Sequence, residues 1–341
     1  MPPSHRNRCR KEVRPMNTTA DQILTILEEA GEPVSGEEIS TRTGVTRSAI
    51  WKNIKELREL GYQIEASRPA GYHLTGRTDK LLPYEVKRHL KTTLIGQNIE
   101  YFDSVPSTII VAKELCTKKP VEELNGTVII AEEQSGGVGR LGRPWASPKG
   151  GIWTTIILKP EIPIDHVFMV TMASSIALVR TIRKLYGIGA LIKWPNDIYI
   201  GDRKVAGILL EISAEAEDVK HCILGIGIDA NVPPQALPGD LNTPVTSLQA
   251  EYGEPIDRPA FLAYLLREFE RRFRLIEAGE YDSIVREWKS LSLTLDKRVK
   301  IKTPRKSFEG TAIDIDEYGA LIVRRDNGKV ERIFSGDCTP A

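Results

Sequence analysis

Residues 134–145 read Gln-Ser-Gly-Gly-Val-Gly-Arg-Leu-Gly-Arg-Pro-Trp, between two apolar runs, Thr127–Ala131 and Ile152–Leu158. Each run is short and rich in β-branched residues, so both are expected to be strands. The glycines let a backbone approach a ligand closely and tolerate positive φ. Arg140 and Arg143 add planar, permanently charged forks suited to phosphate or carboxylate. Trp145 can stack on a flat ring. Phosphate loops of the P-loop and dinucleotide type run from a strand into a helix N-terminus. This loop runs from strand to strand, which argues against both. The competing reading, a long hairpin loop with solvated arginines, carries less weight.

A second constellation lies downstream. Lys193-Trp194-Pro195-Asn196-Asp197 ends one strand and turns, and Lys204-Val205-Ala206-Gly207-Ile208-Leu209 begins a returning strand. Asp197 and Lys204 are therefore expected to face each other across a hairpin. By itself that is a surface ion pair of little energetic weight. Further strands are expected at Ile99–Phe102, Leu191–Lys193, Val205–Ile212 and Cys222–Ile228. Helices are expected at Ser107–Cys116, His166–Tyr186 and Arg258–Ala278. Such mixing predicts an α+β or mixed-sheet domain over residues 79–292, within a multidomain α+β chain.

The flanks read differently. Residues 1–16 hold five Arg or Lys and three Pro, the composition of a disordered basic tail. In residues 17–78, Ile23, Ile26, Leu27 and Ala30 sit at helical spacing, and Ile39 falls on a second short helix. Gly44 suits a tight turn, and Thr46 can cap a third helix reaching about Leu60. Alternation around Arg68-Pro69-Ala70-Gly71 predicts a β-hairpin. Three helices and a hairpin describe a winged helix-turn-helix. Its candidate DNA-contacting residues are Thr46, Arg47, Ser48, Trp51, Lys52, Lys55 and Arg68. This stretch carries nine acidic and seven basic residues, so a protein-interaction module of the same shape stays open. Residues 293–341 alternate in short strands, with Asp326-Asn327-Gly328 as a hairpin turn, and predict a small β-barrel.

Composition is that of an ordinary soluble protein: 341 residues, 41% hydrophobic, 27% charged and net charge +1. No apolar run is long enough to span a membrane. The four cysteines and five histidines are scattered, so a reducing cytoplasm is the expected setting and no protein-held metal is expected.

Together the two constellations resemble the biotin–protein ligases, in particular the bifunctional kind that also represses the biotin operon. Gln-Ser-x-Gly-x-Gly-Arg-x-Gly-Arg-x-Trp at 134–145 is similar to the family's adenylate loop. Lys-Trp-Pro-Asn-Asp at 193–197 and Lys-x-x-Gly-Ile-Leu at 204–209 match its other signatures, and weaker matches occur at Gly225–Ile228 and Thr246–Leu248. The resemblance spans residues 17–341. It implies a class II synthetase-like catalytic domain that uses biotin and ATP, with magnesium accompanying the ATP. It implies biotinyl-5′-AMP as intermediate and a lysine of a biotin carrier domain as acceptor. For the regulator it implies operator DNA and a homodimer when adenylate is bound. Lys204, Arg140 and Asp197 become the expected catalytic residues. Biotin contacts fall on Ser107, Thr108, Ile109, Gln134, Val138, Gly139, Arg140, Lys204 and Gly207. Arg140, Arg143, Trp145, Lys193, Asn196 and Lys204 are expected to hold ATP or the adenylate.

Three positions depart from the family pattern. Ile109 stands where Asn is frequent, Val138 where Arg is common, and Asp229 where Asn is usual, the last expected to matter little. Two other activities fit the same residues: a lipoate–protein ligase, and a ligand-sensing repressor without ligase activity.

Overall fold

The computed structural model describes residues 18–67, 70–215, 218–237, 244–304 and 306–341. The basic tail and Arg68 lie outside the described residues. Three helices open the fold: α1 (Thr18–Ala30), α2 (Gly36–Thr43) and α3 (Arg47–Glu59). Gly44 ends α2 in the left-handed region at φ 71, and the Thr46 side chain caps α3 by accepting from Ala49 N at 3.3 Å. Ile23, Leu24, Leu27, Ile39, Ile50, Ile54 and Leu57 form the core, as the helical spacing requires. The antiparallel hairpin β1 (Gln63–Ser67) and β2 (Gly71–Gly76) follows. This is the winged helix-turn-helix expected. It docks on the short helix α4 (Pro83–Lys87) through an ion cluster in which Arg77 and Arg88 both reach Glu28, at 2.6 and 2.7 Å.

The catalytic part is a seven-stranded mixed sheet. Its strands are β3 (Ile99–Phe102), β4 (Val128–Ala131), β5 (Ile152–Leu158), β6 (Ala190–Lys193), β7 (Asp197–Ile200), β8 (Arg203–Glu215) and β9 (Asp218–Ile228). Their spatial order is β3-β4-β5-β9-β8-β7-β6, with only β3 and β4 parallel. Period-two alternation divides the side chains between two faces. Ile129, Ile157 and Ile223 point to one face, where α5 (Thr108–Lys118) covers them together with the short α6 (Val121–Leu124). Ile130, Ile156 and Leu224 point to the other, where α7 (Met169–Tyr186) and α9 (Arg258–Glu277) lie, with α8 (Leu248–Tyr252) and α10 (Tyr281–Ser290) nearby. Among these, α6, α8 and α10 were not anticipated from sequence.

The C-terminal unit is a five-stranded antiparallel sheet: β10 (Arg298–Lys302), β11 (Ser307–Ile315), β12 (Leu321–Arg324), β13 (Val330–Ile333) and β14 (Asp337–Pro340). The ladder runs β13-β12-β11-β10-β14, with β13 and β14 at its ends, so the small β-domain is present but its hydrogen bonding does not close into a ring. Trp194 ties it to the catalytic sheet: its backbone N donates to Thr294 Oγ1 at 2.9 Å and its indole Nε1 to Gly319 O at 3.2 Å.

One buried arginine organises the root of the Gly-rich loop. Arg258 is 2% exposed. Its guanidinium donates to Glu132 Oε2 and Gly151 O, both at 2.9 Å, and to Asp79 O at 2.9 Å. Glu132 and Gly151 are the two ends of the excursion between β4 and β5. Removing one member of a buried pair leaves an uncompensated charge. Arg258→Ala is therefore expected to destabilise the chain by about 3–5 kcal/mol, read as a lower denaturant midpoint. An unchanged midpoint would show that the pair has no net weight.

Candidate active site

The loop from 132 to 151 folds back on itself. Gln134 pairs with Ser147 and Val138 with Pro144, and Trp145 N donates to Gly137 O at 2.9 Å. Gly139 N donates to Arg143 O at 2.8 Å, which leaves Arg140-Leu141-Gly142 at the tip. Leu141 and Gly142 take positive φ there, 57 and 71. The expected long loop is thus a narrow hairpin that aims both arginines inward.

The floor beneath it follows from side-chain size. On the α5 face of β9, Ile223 is followed by Gly225, Gly227 and then Asp229, and Gly207 of β8 pairs with Gly227. Beyond α5 the apolar stripe gives way to glycine, and the sheet surface becomes hollow. The Trp145 indole fills part of the hollow. A Cβ on Gly227 would lie 2.7 Å from Trp145 Nε1, and one on Gly207 3.1 Å from Trp145 Cζ3. Only glycine permits that approach. The result is a cavity of about 1120 Å³, and all fourteen ligase-site residues named from sequence line it.

At one end Gln134 is fixed by the buried Thr108, whose N and Oγ1 donate to Gln134 Oε1 at 2.8 and 3.1 Å. Gln134 Nε2 in turn donates to Ser147 Oγ at 2.8 Å, and Thr155 Oγ1 donates to Thr108 Oγ1 at 2.8 Å. Ser107 is buried beside them. Ile109 turns its side chain over Gly225 within the apolar cluster under α5, so the Asn-to-Ile departure is an apolar contact here. Val138 and Gly139 lie on the loop stem at the cavity wall.

At the centre Lys204 Nζ meets Asp197 Oδ1 at 2.7 Å and lies 5.0 Å above the Trp145 ring. The two are not register partners. Asp197 pairs with Gly207 and Lys204 with Tyr199, a bulge at Ile198/Tyr199 shifting the ladder, yet the side chains converge. Arg140 Nη1 donates to Asn196 Oδ1 at 3.1 Å, and its Nη2 donates to Gly336 O at 3.4 Å. Asn196 is itself anchored by donating to Ile208 O at 2.5 Å. Burial pulls the Arg140 pKa down, with Asp197 and Asp337 opposing. Lys193 donates to Tyr199 OH at 3.0 Å.

Two features escaped the sequence reading. Arg143 is held by Asp337 of the C-terminal sheet, Nη1 to Oδ1 at 3.0 Å and Nη2 to Oδ2 at 2.5 Å. Asp229 was expected to matter little, but it is 3% exposed, lines the cavity, and its Oδ1 has no hydrogen-bond partner among the described residues. Trp145 Nε1 is a second buried polar atom in that state. Orphaned donors and acceptors in a cavity wall are what a polar ligand satisfies.

Three family models match the chain: the biotin/lipoate A/B protein ligase family over residues 101–229, an HTH domain over 19–73, and the biotin protein ligase C terminal domain over 294–339. The bifunctional ligase/repressor BirA of Bacillus subtilis is 37% identical over 323 residues, covering 94% of this chain and 98% of its own. The chain belongs to the bifunctional biotin–protein ligase family. The ligase/repressor BirA of Escherichia coli is 28% identical over 91% of this chain and 94% of its own. Among solved structures, the biotin protein ligase of Aquifex aeolicus in complex with biotin and ATP matches with TM-score 0.62 and 25% identity, covering 71% of this chain and 98% of that one.

Burial raises the Asp229 pKa well above its ordinary 3.8, with Lys204 opposing. An acid whose pKa is higher in the fold binds its proton more tightly when folded. Its contribution is fully present below the ordinary value and is lost as pH climbs through the raised one. Asp229→Asn cannot titrate, so its stability gain over the parent chain is expected to be larger at about pH 8 than at about pH 4. Thermal melts across that range check this, and a pH-independent difference would contradict it.

Proposed function

We propose that this chain ligates biotin to a carrier protein, with Lys204 and Arg140 acting at the phosphoryl centre and Asp197 at the acceptor amine. It is an ATP-dependent biotin–protein ligase with a repressor's DNA-binding unit. The observation that carries the assignment of roles is the meeting of Lys204, Asp197, Arg140 and Asn196 in one glycine-floored cavity.

Adenylation brings the biotin carboxylate to the α-phosphate of ATP, two anions that repel. Fixed cations at that point lower the barrier because they need no reorganisation when charge develops. Magnesium bound with ATP would offset phosphate charge, alongside the cations of this chain. Arg140, held by Asn196 and Gly336, clamps the phosphate, while Arg143 and Lys193 engage phosphate or ribose. The Trp145 face stacks on the adenine ring. Ser107, Thr108 and Gln134 bind the ureido head of biotin, with Ile109, Val138, Gly139 and Gly207 shaping the remainder of its pocket. Lys204 begins paired to Asp197. An incoming carboxylate and phosphate draw it away, and Asp197 is left free to accept a proton from the lysine amine of the carrier. That amine attacks the mixed anhydride and AMP leaves.

On the winged helix, α3 buries Ile50, Ile54 and Leu57 and exposes Arg47, Ser48, Trp51, Lys52 and Lys55. Trp51 is 57% exposed, which its own fold does not require. This face enters the major groove of operator DNA, and an adenylate-bound homodimer presents two such helices to a palindromic site. The setting is cytoplasmic. No helix among the described residues is long and apolar enough to cross a membrane.

Labelled biotin, ATP and a carrier domain test the ligase. Transfer of biotin is expected, and transfer of lipoate in its place would overturn the substrate. Lys204→Gln is expected to slow adenylate formation by about 10²–10³-fold with an unchanged circular dichroism spectrum. Undiminished pyrophosphate release would remove Lys204 from the chemistry. A gel shift on DNA upstream of the gene, at fixed salt, tests the regulator: adenylate should tighten binding, and indifference to both DNA and adenylate would refute repression.

A further inference from the structure

The winged helix joins the catalytic part through the linker Arg77 to Leu82, between β2 and α4. That linker is not a free tether. Leu81 and Leu82 are buried, Leu81 N donates to Glu132 Oε1 at 2.7 Å, and Asp79 O accepts from Arg258. A linker fixed along one line still leaves a swivel about that line. Glu28, near the C-terminal end of α1, is a second attachment. Its Oε1 meets Arg77 Nη2 of the linker at 2.6 Å and Arg88 Nη2, at the end of α4, at 2.7 Å. Its Oε2 accepts from Tyr84 OH of α4 at 3.2 Å. The buried Glu85 of α4 takes the same two guanidiniums, Arg77 Nη1 at 3.0 Å and Arg88 Nη1 at 3.6 Å. An isolated surface pair would be worth little, but here two carboxylates share two arginines in a partly buried network. Burial alone would raise the Glu28 pKa, yet hydrogen bonds from Arg88 and Arg77 outweigh it and hold the carboxyl below its ordinary value.

The direction of α1 decides the direction of the recognition helix, because α1 packs against α3 in the core of the winged helix. Fixing α1 therefore fixes where Arg47, Ser48, Trp51, Lys52 and Lys55 point. α1 has 13 residues and is about 20 Å long, so a rotation of about 10° at its Glu28 end carries the far end about 3.5 Å, one base-pair step. We infer that Glu28 is a positioning residue for DNA recognition: by clamping α1 to α4 it sets the distance and angle between the two recognition helices of a homodimer, and with them the half-site spacing that the protein accepts. This rests on the repressor reading above. Glu28 does not line the ligase cavity, and it acts on DNA only through α1. Two linked sites bind tightly only when both can be engaged at once. Losing the clamp lowers the effective concentration of the second helix at the preferred spacing and widens the range of spacings it can reach.

The test uses the full-length chain with biotinyl-adenylate. The parent chain first selects a palindrome from a random-sequence pool of double-stranded DNA. Copies with base pairs added or removed between the half-sites, and a lone half-site, are then compared at fixed salt. Glu28→Gln is expected to weaken binding at the parent's preferred spacing about tenfold, to flatten the preference among spacings, and to leave the lone half-site at the parent affinity. Arg88→Gln should reproduce this. The double variant should be no worse than either single one, because all three break the same contact. Biotin-dependent exchange of labelled pyrophosphate into ATP should stay at the parent rate throughout. An unchanged spacing profile in Glu28→Gln would overturn the inference. So would an equal loss on the lone half-site, since Glu28 would then serve the folding of the winged helix and not its orientation. Failure of the parent chain to enrich any sequence would instead overturn the repressor reading itself.

Discussion

The arginine-bearing wall of the candidate active site hangs from a loop that has no helix to hold it. A strand-to-strand excursion of this length gains nothing from a helix dipole, and its arginines would wander unless its ends were fixed. The fold fixes them from below with the guanidinium of Arg258, which spans Glu132 at one end and Gly151 at the other. The loop's own cross-ties, from Gln134–Ser147 to Gly139–Arg143, carry that order outward to the tip. The same guanidinium takes the carbonyl of Asp79, just after the winged helix. A displacement of that linker and a displacement of the loop root would thus be felt by one buried side chain.

Charge in the cavity is arranged so that Lys204, Arg143 and Arg140 each already have a partner. Lys204 has Asp197, Arg143 has Asp337, and Arg140 leans on Asn196 and a carbonyl. These partners hold long side chains in one place, which reduces the conformational entropy lost when substrate binds. They are also partly exposed, so a phosphate can replace them without a large penalty. Asp229 is the exception. It is buried, has an unsatisfied oxygen, and depends on burial and Lys204 for its protonation state.

Local pattern made the architecture legible. Ile99–Phe102 and Ile152–Leu158 are strands with the limits expected, because short β-branched runs bounded by breakers have few alternatives. The cap at Thr46 and the positive φ at Gly44 were readable for the same reason, since one side chain and one backbone conformation decide them. Proximity in the site was legible only through the joint presence of two distant motifs. What stayed hidden was tertiary. No spacing rule pairs Arg143 with Asp337, 194 residues apart. The bulge at Ile198 moves Lys204 off its simple register, and periodicity is blind to bulges. Arg258 reads as an ordinary helix-start residue until the fold buries it. Ring closure of the C-terminal strands depends on how β13 and β14 lie, which alternation alone does not state.

The grip between Arg143 and Asp337 has a consequence for time as well as for place. A mixed anhydride is destroyed by water, and at the cavity mouth the Gly-rich loop meets the C-terminal sheet through the partly exposed ion pair of Arg143 and Asp337. Ionic strength weakens such a contact by screening. On the proposed ligase reading, the half-life of the activated intermediate becomes a function of the salt around the molecule. Storage of the acyl group and its wasteful hydrolysis are set by how often that small door swings.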